Sequence, residues 1–200
     1  MNASSTASGT SRLAIIRGNS GSGKSSVARE VRRRYGRGCA LVEQDYLRRI
    51  VCREHDISGI DPVAPAFIAS TVASLLGLGY HVVLEGILHR ERYGEVLRRL
   101  IGEHRGPSAV YYLDVPFEET VRRHQTRAAS VDFTVDDMAQ WYAERDLLGV
   151  SGEHVIGANS TLSDTAETIL RASGLVTAAP LTPCPTRCAR CEEKTAPAHQ

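Results

Sequence analysis

The stretch GNSGSGKS, residues 18–25, decides the fold; it follows the apolar run LAIIR at residues 13–17. Its spacing is Gly18, four residues, Gly23, Lys24, Ser25, which fits G-x-x-x-x-G-K-[ST], the phosphate-binding loop. The chemistry needs those residue types. Glycines let the backbone curl so that several N–H groups point at one phosphate, and the helix that follows adds its positive end. Lys24 is expected to reach the β- and γ-phosphates, and the Ser25 hydroxyl to ligate Mg²⁺. A merely glycine-rich turn would leave the lysine, the hydroxyl and both flanking elements as coincidences. The spacing therefore predicts a nucleoside triphosphate held by Gly18, Asn19, Ser20, Gly21, Ser22, Gly23, Lys24, Ser25 and Ser26.

Outward from the loop, apolar strand-like runs alternate with helical stretches. RLAIIRG, CALVEQ, HVVLEG, AVYYLDV and the short HVIG read as strands. Helices are predicted over about 24–35, 46–54, the apolar stretch after Pro62, the amphipathic RERYGEVLRRLIGEH, the segment opened by Pro116, 135–148 and 162–172. Alternating elements with continuous apolar strands mean an α/β fold, a parallel sheet with helices on both faces.

Composition sets the frame. The 200 residues suit one domain, and 42% apolar with 24% charged residues is the globular range. A net charge of +1 gives no general attraction for nucleic acid or membranes. The start MNASSTASGTS is small and polar, without the basic-then-apolar pattern of a signal peptide, and no apolar run approaches the ~18 residues of a membrane span, so a cytoplasmic location is expected. Residues 1–11 read as disordered, 12–176 as the folded domain with a lid around 120–147, and 177–200 as a disordered tail. That tail holds Cys184, Cys188 and Cys191 and four of the eight prolines. Their C-x-x-x-C-x-x-C spacing holds iron–sulfur clusters in radical enzymes, but on a barrel loop; zinc with His199 is an alternative, and exposed thiols the favoured reading. Cys39 and Cys52 read as small buried thiols.

In open parallel sheets ligands gather at the carboxyl ends of strands. After the second strand, EQDYLRR offers Asp45 to accept the proton of an attacking hydroxyl, with Arg48 on the same helical face for an anionic part of the acceptor. Asp45 could also be a helix cap. Glu85, ending VVLE, resembles a Walker B position and is expected to hold Mg²⁺ or the acceptor, with Gly86 letting the acceptor approach; an acid paired with a neighbouring arginine is the alternative. His89 and Arg92 follow on the next turn. Asp114 reads as structural. Arg123, Arg127 and Arg145 are candidates to neutralise charge on the transferred phosphoryl group from a lid; charge at a helix C-terminus is the alternative.

Other phosphate-loop functions lack their marks. A GTPase wants D-x-x-G behind a strand and N-K-x-D; DISG at 56–59 follows no strand, and N-K-x-D is missing. The transporter-ATPase signature is absent as well.

IIRGNSGSGKSSVA, VEQDYLRR, VVLEGIL, YYLDVPFEETVRRHQTR and RDLLG, in that order, resemble the small AAA-type P-loop kinases of bacteria: chloramphenicol phosphotransferase-like enzymes, zeta-toxin-like sugar-nucleotide kinases and polynucleotide kinase domains. The resemblance covers about residues 12–172. It implies a five-stranded parallel sheet in the order 2-3-1-4-5, ATP with Mg²⁺, a hydroxyl acceptor, and a base at Asp45. The D-x-x-R pair of Asp45 and Arg48 is similar to that of polynucleotide kinases. A near-neutral charge and one tryptophan speak against a nucleic-acid strand as acceptor. A kinase for a small hydroxyl compound (an antibiotic, sugar or nucleoside) is therefore expected. A nucleotide-switched regulator is the rival from another class, although a switch needs no base at Asp45. The acceptor's identity and the oligomeric state stay open.

Overall fold

A computed structural model describes residues 10–54, 63–126 and 133–182. The chain runs β1 (Leu13–Gly18), α1 (Lys24–Tyr35), β2 (Cys39–Glu43), α2 (Gln44–Tyr46), α3 (Ala64–Gly77) and β3 (His81–Gly86). It continues with α4 (Arg90–Glu103), β4 (Ser108–Asp114), α5 (Phe117–Gln125), α6 (Val135–Trp141), β5 (His154–Gly157) and α7 (Leu162–Ala172). All five strands pair in parallel, in the order β2-β3-β1-β4-β5, as expected.

The period of two along β1 divides the core. Leu13 and Ile15 point to one face, with Leu84, Ile68 and Val72 of α3, and Leu97 and Leu100 of α4. Ala14 and Ile16 point to the other, with Val27 and Val31 of α1 and Ile169 and Leu170 of α7. Each such aliphatic side chain, fully buried, contributes about 1.5–3 kcal/mol. Together the two layers fix the central strand, and thereby the loop at its carboxyl end.

Three sequence expectations need correction. The helix predicted over 46–54 starts at Gln44 and widens into a π-helical turn over Leu47–Val51, where Cys52 N donates to Leu47 O at 2.9 Å. Glu54 leaves the helix because its carboxylate accepts from Val63 N and Ala64 N, capping α3. The helix predicted over 135–148 stops at Trp141, with Tyr142 already extended. Tertiary partners take the backbone groups a longer helix would use: the Asn19 amide accepts from Ala143 N at 3.0 Å and donates to Ala143 O at 2.9 Å, and Asp146 N donates to the Tyr112 hydroxyl. Finally, the chain stays packed past residue 177. Ala178 O accepts from the Tyr35 hydroxyl, Ala179 O pairs with His81 Nε2, and Arg37 donates to Thr182 O. The cysteines of the tail, with His199, lie outside the described residues.

Candidate active site

The loop leaves β1 at Gly18, turns with Ser22 N donating to Asn19 O, and enters α1 at Lys24. Gly21 is required twice over: its φ is +79°, and a Cβ would stand 2.7 Å from Thr120 O of α5. Lys24 Nζ donates to Asn19 O at 3.3 Å, which folds the ammonium back over the loop. Ser25 Oγ lies 3.1 Å from both carboxylate oxygens of Glu85. The register that pairs Ile16 with Glu85 brings the end of β3 beside the loop. Burial pushes the Glu85 carboxyl above its ordinary value, against the pull of Lys24 and the Ser25 hydroxyl.

A cavity of about 840 Å³ opens on this face of the loop. Ser20, Lys24, Ser25 and Glu85 form one wall, and Gln44, Asp45, Arg48 and Arg49 a second. The turn Gly86–His89 continues it with Arg92 and Tyr93 of α4, and Phe133, Asp137, Gln140 and Trp141 close it from α6 and the residue leading into it. Asp45 is 61% exposed and pairs with Arg48 at 3.0 Å and Arg49 at 3.7 Å. Gly86 also serves a purpose that its position did not suggest. A Cβ there would overlap Gln44 Cβ at 2.5 Å, so the space is filled by Gln44, whose amide donates to the Tyr93 hydroxyl.

A second cavity, about 380 Å³, lies on the loop's other side, and Gly23 borders both. Ser22, Ser26, Arg123, Gly157, Ser160 and Thr161 line it. Arg123 therefore sits away from the larger cavity: it donates to Glu119, to Ser22 O at 3.0 Å and to Ala158 O at 3.1 Å. Arg145 lines neither cavity; it is 61% exposed and pairs with Asp114 at 3.8 Å. Arg127 lies outside the described residues.

Sequence reasoning missed the group that holds the site together. Arg17, the last residue but one of β1, is wholly buried. It donates to Leu88 O, pairs with Asp146 at 2.8 Å and Glu153 at 3.3 Å, and lies over the Tyr112 ring at 5.9 Å. Desolvation lowers its pKa, while Asp146 and Glu153 oppose that shift. The bond to Leu88 O braces a residue in the left-handed region (φ +49°) on the cavity wall. Asp146 also accepts from Arg90 N at 2.8 Å and lies 3.8 Å from His89 Nδ1. Burial lowers the His89 pKa and Asp146 partly offsets it. An arginine inside an apolar strand was the one available signal.

A family model described as an AAA domain matches residues 13–147. The chain belongs to that family. Its AAA domain has the kinase-like P-loop fold of several solved structures. A sugar kinase from Janibacter sp. is 19% identical, with a TM-score of 0.60 over 87% of this chain and 99% of that one. The APS kinase of Mycobacterium tuberculosis, solved with AMPPNP and APS, is 17% identical, with a TM-score of 0.61 over 85% and 99%. The tunicamycin resistance protein of Deinococcus radiodurans is 16% identical, with a TM-score of 0.59 over 82% and 96%. No curated protein sequence matches the chain. Among the described residues of this AAA domain, no helix is long and apolar enough to cross a membrane, and no three His, Cys, Asp or Glu side chains are grouped to hold a metal.

Proposed function

We propose that the chain is an ATP-dependent kinase that transfers the γ-phosphoryl group to a hydroxyl of a small molecule. One observation carries this reading: the phosphate loop and a carboxylate-bearing wall open into the same cavity, Lys24, Ser25 and Glu85 on one side and Asp45 with its arginines on the other. Structural neighbours described as a sugar kinase and an APS kinase support it.

In this reading the loop amides and Lys24 hold the phosphates, and the nucleoside occupies the smaller cavity beyond Gly23. Asp45 accepts the acceptor's hydroxyl proton as the new P–O bond forms and ADP leaves; Arg48 and Arg49 hold its carboxylate in place. Ser25 and Glu85 fit a hard divalent cation, since both offer oxygen and, among the described residues, no cationic side chain forms an ion pair with the buried carboxylate. Bound Mg²⁺ would neutralise charge between the β- and γ-phosphates. His89 and Arg92 face the acceptor.

The test is ADP release across a panel of small hydroxyl compounds and oligonucleotides, with mass spectrometry for the added phosphate. A phosphorylated small molecule supports the reading. Phosphorylation of the oligonucleotide alone replaces the acceptor class. Tight ATP binding with no transfer to any acceptor points to a nucleotide-switched binder instead.

A further inference from the structure

Among the described residues, the acceptor wall of the large cavity carries three guanidinium groups and one carboxylate. Arg48, Arg49 and Arg92 line it against the single carboxylate of Asp45, which both Arg48 and Arg49 already share. Asp137, on the opposite wall, is committed to its helix cap, its carboxylate accepting from Thr134 N at 2.7 Å and from the Thr134 hydroxyl. Glu85 faces the loop and Ser25. His89 is held toward its neutral form.

Arg92 is the informative member. Among the described residues, the half-buried or buried arginines are Arg12, Arg17, Arg34, Arg37, Arg48, Arg49, Arg92 and Arg123. Six of them donate to a carboxylate or a backbone carbonyl, Arg49 forms an ion pair with Asp45, and Arg92 alone does neither. It also stands in the first turn of α4, where the helix dipole disfavours a cation. A cation kept half-buried, without a partner, on the wall of a cavity and against its helix dipole is unfavourable in the empty protein. An oxyanion in the cavity would reverse that balance, because the guanidinium fork suits two oxygens at once. The π-helical turn adds to the case: it is an uncommon geometry that occurs mostly at functional sites, and here it carries Arg48 and Arg49.

We infer that the acceptor already bears an anionic group, a phosphate ester, sulfate or carboxylate, which Arg92 binds together with Arg49 and Arg48 while the hydroxyl to be phosphorylated meets Asp45. The inference rests on the kinase reading for the word acceptor; the anion site itself does not.

The experiment separates the two. The full chain is loaded with Mg²⁺ and a non-hydrolysable ATP analogue, so that the loop is filled. Inorganic phosphate, sulfate and acetate are then titrated calorimetrically, with chloride holding ionic strength constant. At least one of the three is expected to bind saturably at one site. Arg92→Gln should weaken that binding about tenfold or more, Arg92→Lys should weaken it less, and the affinity for the ATP analogue should hold. Arg49→Gln gives an independent second variant if Arg92→Gln melts early. In parallel, ADP release is compared for a neutral polyol and its phosphate, sulfate and carboxylic acid counterparts; a charged counterpart should have the higher kcat/KM. The inference is overturned if no anion binds the loaded protein, if Arg92→Gln and Arg49→Gln bind as wild type does, or if neutral and charged acceptors react alike. Saturable anion binding that Arg92→Gln abolishes, with no acceptor phosphorylated, leaves the site standing and removes the kinase reading.

Discussion

The two cavities that share Gly23 differ in how their arginines are satisfied. In the smaller one Arg123 is held three ways, by Glu119, Ser22 O and Ala158 O. The larger keeps its groups poised: a buried carboxylate with a raised pKa at Glu85, a left-handed Leu88, and Arg92 without a partner among the described residues. Stability alone would favour the first arrangement everywhere. A left-handed wall residue, a buried carboxylate and a guanidinium without a partner among the described residues, gathered on one side of a phosphate loop, mark the side where chemistry is expected. On this view the small cavity binds and the large one reacts.

The largest test of that division is Asp45→Asn. It keeps the side chain's size and position but removes the charge that accepts a proton. Acceptor-dependent turnover should fall by roughly 10²–10⁴ with ATP affinity nearly unchanged. Asp45 is mostly exposed, so melting temperature should barely move. If Asp45→Asn retains most of the wild-type rate, the aspartate only organises Arg48 and Arg49, and Glu85 becomes the candidate base.

How much of this was legible in the sequence follows from the range of each interaction. The loop announces itself because Gly18, Gly23, Lys24 and Ser25 are neighbours in the chain and act together. The strand order came from a resemblance, not from the residues. Asp146 could not be read: its partner Arg17 lies 129 positions away, and neither carries a local signal for the other. The end of α6 was misjudged for a related reason. AQWYAERDLL has helical propensity, but Asn19 and Tyr112 bind its backbone from distant elements and tertiary bonds override propensity. Gly86 was read only as an approach for the acceptor; it does line the cavity, but the packing of Gln44 where a Cβ would stand could not be read from the sequence.

Arg123 offers a way to break the comparison at intermediate cost. As a member of the binding side, Arg123→Ala should raise KM for ATP about tenfold, the loss of one charge-assisted contact and of the brace on Ser22 O, while kcat changes less than about threefold. The opposite pattern, kcat down about a hundredfold at constant KM, would mean that Arg123 acts on the transferring group. The binding and reacting sides would then not be separate.

The smallest effect comes from a histidine remote from both cavities, which is why it serves as the reference for protonation near them. His81 accepts from Arg12 N at Nδ1, 3.0 Å, and its Nε2 pairs with Ala179 O at 3.1 Å. Both nitrogens are thus used by the neutral ring, with Nε2 carrying the proton; a second proton at Nδ1 would have to break the bond from Arg12 N. Burial lowers the His81 pKa below its ordinary 6.5, and the bond to Ala179 O only partly offsets this. The native state therefore binds fewer protons than the unfolded chain. The resulting stabilisation is present above about pH 6.5 and is lost as pH falls below it toward the folded value. Melting temperature should decline on acidification from pH 7.5 to 5.5, and His81→Asn, which cannot titrate, should flatten part of that slope. His89 and His104 are also lowered by burial and supply the remainder. ATP affinity at pH 5.5 should be the same in wild type and His81→Asn, because the ring lies at the amino end of β3 and the loop at the carboxyl end of the sheet. A slope that His81→Asn leaves untouched would assign the acid sensitivity to His89 on the cavity wall and to His104. Only if His104→Asn leaves it untouched as well would the reacting side be the part of the molecule that responds to pH.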